Sequence, residues 1–350
     1  EDEDGDEDDD GFTFAQETSI GTDPDDPDSH PVKISGSIEF DGTPNTSVVS
    51  WGEDKYGGDS SGVTEQLDGV VSIVSNNRAF AALKWDGSVV TWGDEDQGGD
   101  GADDAVQLNG GVIRIFASGR AFAALKGDGS VYTWGDEDYG GDSDGVSTSL
   151  NDEVVEIFST DMAFAALKSN GSVVTWGADD EGGDSSDVAA LLNGGVVRVY
   201  SADNAFAAVK DNGSVVTWGK EAEGGDSADV TELLTDVARI IGNTKSFAAL
   251  KENGSVVTWG KDAFGGDSSG VSSQLSGGVV EIFSTDNAFA ALKENGSVVT
   301  WGSSSDGGDS SDVAGQLTGG VVRITGNTEV FAALKDDGSV VAWGKDSYGG

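Results

Sequence analysis

The sequence predicts an all-β fold, a seven-bladed β-propeller built from repeats of about 42 residues, and three observations predict it. Trp-Gly recurs at Trp51, Trp92, Trp134, Trp176, Trp218, Trp259, Trp301 and Trp343, always 41 or 42 residues apart. A fixed period of that length marks a solenoid, a propeller or an array. Each repeat also carries three short apolar runs rich in β-branched residues, as strands are, and Asn-Gly or Asp-Gly separates the second run from the third, as in a hairpin.

Within a repeat the elements keep a set order. In the sixth copy Val279-Val280-Glu281-Ile282-Phe283 reads as a first strand, Phe289-Ala290-Ala291-Leu292-Lys293 as a second and Ser297-Val298-Val299-Thr300-Trp301 as a third. Asn295-Gly296 lies before the third, and Asp86-Gly87, Asp128-Gly129, Asn170-Gly171, Asn212-Gly213, Asn253-Gly254 and Asp337-Gly338 match it. Both residue types adopt positive φ cheaply, which predicts a two-residue type I′ turn. Beyond Gly-Gly-Asp, the residues Asp309, Val313 and Leu317 fall four apart. That spacing fits a helical turn with Asp as N-cap, and an irregular strand fits as well.

One such unit cannot shelter both of its faces, whereas seven stacked units make a continuous core and a ring leaves only short edges. Seven copies of the first two strands lie in 47–350, but residues 47–51 are an eighth copy of the third. That surplus predicts ring closure by pairing of the two termini, with 33–46 as a linker or closing strand. An open solenoid is the alternative.

The copy Gly129-Ser130-Val131-Tyr132-Thr133-Trp134-Gly135 resembles the Gly-x-Val-Tyr-x-Trp-Gly strand of the regulator of chromosome condensation repeat family. The resemblance covers roughly 47–350 and implies a seven-bladed propeller. Gly-Gly-Asp stands where that family continues Gly-Gln-Leu-Gly, and Ala or Ser stands where it often has His. No residue here matches those that would carry the family's nucleotide-exchange or chromatin roles.

Charge narrows the choice of partners. The chain has 64 Asp plus Glu against 19 Lys plus Arg, a net charge of -45, and such a surface repels phosphate backbones and anionic membranes. Nucleic acid and membrane insertion are therefore excluded as expectations. No apolar run approaches the roughly 18 residues of a membrane helix. Cysteine is absent, and the single histidine, His30, stands beside Pro31. The chain opens on Glu1 and stops inside a repeat, as expected of a processed or excised piece.

The first 32 residues hold acidic side chains and no Lys or Arg. Residues 6–17 satisfy D-x-[DN]-x-[DN]-G-x₅-E: Asp6, Asp8 and Asp10 offer carboxylates, Gly11 a turn, Phe12 a backbone carbonyl and Glu17 a bidentate carboxylate. Calcium takes six to eight oxygens in this pattern, which predicts an acidic N-terminal Ca2+-binding segment over 1–32. The run DGFTFAQETSIGTDPDDPDSHP looks like the calcium-binding thrombospondin type 3-like segments of secreted bacterial proteins, and it implies a secreted or cell-surface protein. A disordered acidic linker is the competing reading.

Repeats also align a sequence with itself. The frame of Phe, Leu, Val-Val, Trp-Gly and Gly-Gly-Asp barely changes between copies, while two loops vary. One, between the first and second strands, ends in Arg78, Arg120, Met162, Asn204, Lys245, Asn287 or Glu329; the other, after Trp-Gly, ends in residues such as Tyr56, Tyr139 and Phe264. In an up-down-up meander both loops emerge at one end, so these ten side chains form the expected partner-binding face. Unrestrained drift of exposed loops would give the same variation. The third residue of the first strand is charged in six copies (Arg114, Glu156, Arg198, Arg239, Glu281, Arg323), which predicts Arg–Glu pairing along a central channel.

Catalysis needs a nucleophile with a base, or a tuned acid and base, at singular positions. The carboxylates here recur with the repeat. The expectation is a non-enzymatic adhesion or interaction module outside the cell, stabilised by Ca2+ and binding a protein, a glycan or copies of itself. Alternatives are a surface-layer or filament subunit and an intracellular scaffold.

Overall fold

The computed structural model describes residues 48–100 and 106–350, all within one compact unit. They form seven antiparallel sheets of three strands, each taken from one repeat and ordered first-second-third. The blades span 70–93, 112–135, 154–177, 196–219, 237–260, 279–302 and 321–344 and are numbered 1 to 7. All seven line one polar mouth through the ends of their first strands, from Ser75 and Ala117 round to Ser284 and Gly326. The chain is a seven-bladed β-propeller, as the period predicts.

Strand register follows from the sequence pattern. Phe289 lies opposite Trp301 and Leu292 opposite Val298, so each blade stacks its Phe on its Trp, with ring centroids 5.3 Å apart in blade 6. Every first strand shifts register after its first residue, between Val279 and Glu281 in blade 6, and this bulge leaves Val280 exposed.

The hairpin turn differs from the type I′ expectation. Gly87 donates its N–H to the Lys84 carbonyl and Lys84 donates to Ser88, which encloses three loop residues. Only the glycine takes positive φ (79° at Gly87). This is the three-residue loop with a left-handed Gly after a type I turn. Asp86 leads it by accepting from both the N–H and the hydroxyl of Ser88 through Oδ1. The same bonds join Asn295 to Ser297.

After Gly-Gly-Asp the chain makes 3₁₀ turns such as Ser311–Gln316, settling the choice between helical turn and irregular strand. Asp309 accepts from the Ser311 N–H at 2.9 Å, the local bond through which Asp favours such starts. The lysine ending each second strand ties this segment down: Lys335 Nζ donates to the Gln316 carbonyl at 2.8 Å and Lys168 Nζ to the Ser149 carbonyl at 3.0 Å.

Blades are held to one another by apolar packing. The trailing face of one blade (Ala121, Ala123 and Leu125 in blade 2) packs on the leading face of the next (Leu150, Val154, Ile157, Phe164 and Trp176 in blade 3). Five other clusters repeat this arrangement. Polar bonds reinforce it: the indole N–H of Trp176 donates to the Gly140 carbonyl at 3.1 Å. The Gly-Gly turn allows that approach. Gly140 has φ 91°, and a Cβ there would lie 2.7 Å from Phe164 Cδ2.

At their seam, blade 7 does not pack on blade 1 in this way; most of the leading face of blade 1 is covered instead by the segment before it, where Val48 packs with Leu67 and Trp92 and the Trp92 indole N–H donates to the Gly57 carbonyl at 3.0 Å. Ile73, whose counterparts are buried in the other six blades, is 44% exposed; across the seam Leu334 is 42% and Val340 64% exposed. The expected closing copy does not act as a strand. Residues 48–51 carry no strand, and Trp51 is 84% exposed. Its third-strand sequence alone does not bury it, because no first and second strand of its own repeat flank it among the described residues. The candidate linker or closing strand at 33–46 lies outside the described residues.

Candidate partner-binding face

A relay of backbone hydrogen bonds circles the axial mouth. Asn77 donates to Gly119 (3.1 Å), Gly119 to Asp161 (2.7 Å), Asp161 to Asp203 (2.8 Å), Asp203 to Thr244 (3.3 Å), Thr244 to Asp286 (3.2 Å) and Asp286 to Thr328 (3.1 Å). Each bond crosses from one blade to the next and always in the same sense. Among the described residues no bond joins Thr328 back to Asn77. The mouth encloses about 650 Å³ and is lined by Ser, Thr, Asn, Asp, Gly and Ala.

The two variable loops meet around this mouth. The loop after Trp-Gly is a single 3₁₀ turn ended by a left-handed Gly, as in Glu137–Tyr139 with Gly140, and it stands beside the loop between first and second strands. Ser118 Oγ donates to the Tyr139 carbonyl at 2.8 Å, and Asn76 and Asn243 side chains donate to the Gln97 and Phe264 carbonyls at 2.7 Å. Those Ser and Asn residues are what pin one loop to the other.

The structure brings together the side chains singled out in the sequence. Arg78 lies over the Tyr56 ring at 5.4 Å and Arg120 over Tyr139 at 4.5 Å, each also 3.6 Å from a carboxylate, Asp94 and Asp136. Lys245 lies 5.6 Å from the Phe264 ring centre and 3.0 Å from Glu223. Asn204 donates to Glu223, Asn287 donates to Asp306 at 3.0 Å, and Glu329 pairs with Lys345 at 2.8 Å. Met162 is partly buried on the same rim, where its carbonyl accepts from the Ala178 N–H at 2.9 Å.

Sequence reasoning missed several members of this face. Lys345 over the Tyr348 ring at 5.0 Å, Lys55 over Tyr56 at 4.6 Å and Lys261 over Phe264 at 5.2 Å add further cation–aromatic pairs. Glu223 is buried; burial opposes its charge, yet hydrogen bonds from Asn204 and Lys245 and the nearby Lys220 hold its carboxyl below the ordinary value. Its signal was an acidic residue, as at Glu181 and Asp306, at a position that holds Tyr, Phe or Gln in the other copies. The three aspartates of the mouth behave oppositely. Burial, then the charges of Asp161 and Asp286, push Asp203 up to about 6, and burial also raises Asp161 and Asp286.

Of the expected Arg–Glu pairs on the first strands, Arg114 and Glu156 meet at 2.7 Å. The other charged residues at this position form no ion pair among the described residues, so pairing does not run around the channel. The candidate calcium ligands Asp6, Asp8, Asp10, Phe12 and Glu17 lie outside the described residues. No helix among the described residues is long and apolar enough to cross a membrane.

No protein-family model matches the chain, and no curated protein matches it. Solved structures that it resembles include the ectodomain of the Physcomitrella patens receptor kinase CR4 (14% identity, TM-score 0.41, 78% of this chain and 72% of that one). Prp20p from Saccharomyces cerevisiae matches at 16% identity and TM-score 0.40, over 67% of this chain and 72% of its own. Human WBSCR16 matches at 15% identity and TM-score 0.41, over 79% and 87%. These likenesses are loose, and the seven-bladed architecture stands on the sheets and interblade clusters themselves.

Proposed function

We propose that this chain is a non-enzymatic interaction module acting outside the cell or at its surface, and that it binds a protein or a glycan with the rim around its axial mouth. The observation behind this reading is the convergence of variable side chains on an invariant frame, above all the cation–aromatic pairs Arg78–Tyr56, Arg120–Tyr139 and Lys245–Phe264. Aromatic and Arg side chains dominate recognition surfaces because they offer rigid apolar area with a polar edge. Carboxylates outnumber basic side chains in the two loop sets by about three to one, which favours a cationic or neutral partner over an anionic one.

Calcium belongs to the same proposal through the spacing of Asp6, Asp8, Asp10, Phe12 and Glu17. Calorimetric titration of Ca2+ into the full chain and into an Asp8→Asn, Asp10→Asn variant tests that part: heat in the first and none in the second supports it. The rim is tested on protein and glycan arrays with the wild type and an Arg78→Ala, Arg120→Ala, Lys245→Ala variant. Ligands kept in full by the triple variant would remove the rim from the reading.

A second reading, a subunit of a surface layer or filament, is favoured by one observation, the exposed apolar side chains Ile73, Leu334 and Val340 on the first and last blades.

A further inference from the structure

Four of the hairpin turns carry a polar group that the fold does not use. In blades 3, 4, 5 and 6 the turn holds Asn170, Asn212, Asn253 or Asn295, each followed by Gly and Ser. The Asn Oδ1 accepts from the N–H of that Ser at 2.9–3.0 Å and from its hydroxyl at 2.7 Å. Blades 1, 2 and 7 hold Asp86, Asp128 and Asp337 instead and make the same two bonds. The turn therefore needs only the side-chain oxygen. All four asparagines are exposed, and among the described residues no group accepts from their Nδ2. What Asn brings that Asp does not is a free amide inside Asn-Gly-Ser, and Asn-x-Ser/Thr is the pattern to which N-linked sugar is attached.

Resting on the reading of a chain that acts outside the cell, we propose that Asn170, Asn212, Asn253 and Asn295 are sites of N-glycosylation. The co-reactant is a sugar activated as a glycosyl phosphate or pyrophosphate. A bond forms between Nδ2 and the anomeric carbon, the bond from that carbon to the phosphate oxygen breaks, and the phosphate leaves with the electron pair while the amide gives up one proton. Because Nδ2 is unbonded in the folded chain, the attachment breaks no hydrogen bond of the turn. The turns follow the second strands, at the end opposite the loops of the rim, as with Ala163–Lys168 in blade 3. Sugar there leaves the partner-binding face clear. The four sites fall on consecutive blades, so sugar covers an arc from blade 3 to blade 6 and leaves blades 1, 2 and 7 bare at this position. Asn193-Gly194-Gly195 has an exposed Asn without the hydroxyl and stays unmodified. A further match, Asn45-Thr46-Ser47, lies outside the described residues.

The test is peptide mass spectrometry, with sugar assigned to single residues, on the full chain recovered from the cells that make it after surface and medium are separated from cytoplasm. Asn170, Asn212, Asn253 and Asn295 should carry sugar, and Asn193, Asp86, Asp128 and Asp337 should not. A variant with Asn170→Asp, Asn212→Asp, Asn253→Asp and Asn295→Asp should lose all sugar from the blades and keep its circular dichroism spectrum, since three turns are already built on Asp. Ser297→Thr should keep the sugar at Asn295 and Ser297→Ala should lose it. A chain found outside the cell with all four asparagines bare would overturn this inference and leave the extracellular reading standing. A bare chain confined to the cytoplasm would overturn both.

Discussion

The indole N–H of Trp218 donates to the Gly182 carbonyl at 3.1 Å, joining the third strand of blade 4 to the turn that follows blade 3. Trp218 is buried, so the bond lies where water cannot replace it. Trp218→Phe removes the donor and leaves a buried carbonyl unpaired, as well as some volume. The expected loss is about 2–3 kcal/mol in urea unfolding. Trp51→Phe, the same substitution at the unburied copy, should change stability by less than about 0.5 kcal/mol.

Gly182 serves the same junction through its backbone. Its φ is 105°, and an added Cβ would lie 2.7 Å from Phe206 Cδ2. Gly182→Ala should cost about 2 kcal/mol or more, from strain and overpacking together. Gly145 meets nothing within 4 Å and lacks positive φ. Gly145→Ala should be neutral or stabilise by about 0.5 kcal/mol, because it restricts the unfolded chain. Paired thermal melts of the two variants check both.

Asp203 makes stability depend on pH. Burial, with Asp161 and Asp286, raises its carboxyl from 3.8 to about 6, so the folded state holds this proton more tightly than the unfolded chain does. Its contribution is therefore full below pH 3.8 and is lost as pH rises through about 6. Asp203→Asn should flatten that part of the stability profile and raise stability at pH 7 by about 1 kcal/mol, a figure reduced for partial exposure. Urea midpoints at pH 4, 5, 6 and 7 for both proteins measure it.

The cation–aromatic pairs of the rim should matter to partners far more than to folding. Arg120 lies over Tyr139 at the surface, where such a contact is worth about 0.5–1 kcal/mol. Arg120→Ala should shift the unfolding midpoint by no more than that while lowering retention of any rim-bound partner. A large loss of stability would instead mark Arg120 as part of the frame.

Much of this was legible in the sequence because repetition states each local rule seven times. Trp-Gly, Gly-Gly-Asp and the Val-Val and Ala-Ala-Leu runs fixed blade number and strand order, and meander topology placed Arg120 and Tyr139 on one rim before their contact was seen. The turn type was not legible, since Asn-Gly suits both a two-residue and a three-residue loop; the Lys293 N–H donating to the Ser297 carbonyl decides between them. The fate of residues 48–51 was not legible either. Their sequence copies a third strand, but burial there comes from neighbouring strands of the same blade, and sequence identity does not supply them. The acidic cluster of the mouth was not legible, because proximity of Asp161, Asp203 and Asp286 arises from the circle and not from spacing along the chain.

Residue-resolved hydrogen exchange at high dilution tests most directly whether the blades shelter one another around an axis that stays open at one seam. The amides of Asn77, Gly119, Asp161, Asp203, Thr244 and Asp286, each bonded to the next blade, should be protected, and that of Thr328 should exchange orders of magnitude faster. Equal protection of Thr328 would show a sealed ring. Fast exchange at all seven would show blades that fold as separate beads, and either result would contradict the structure described here.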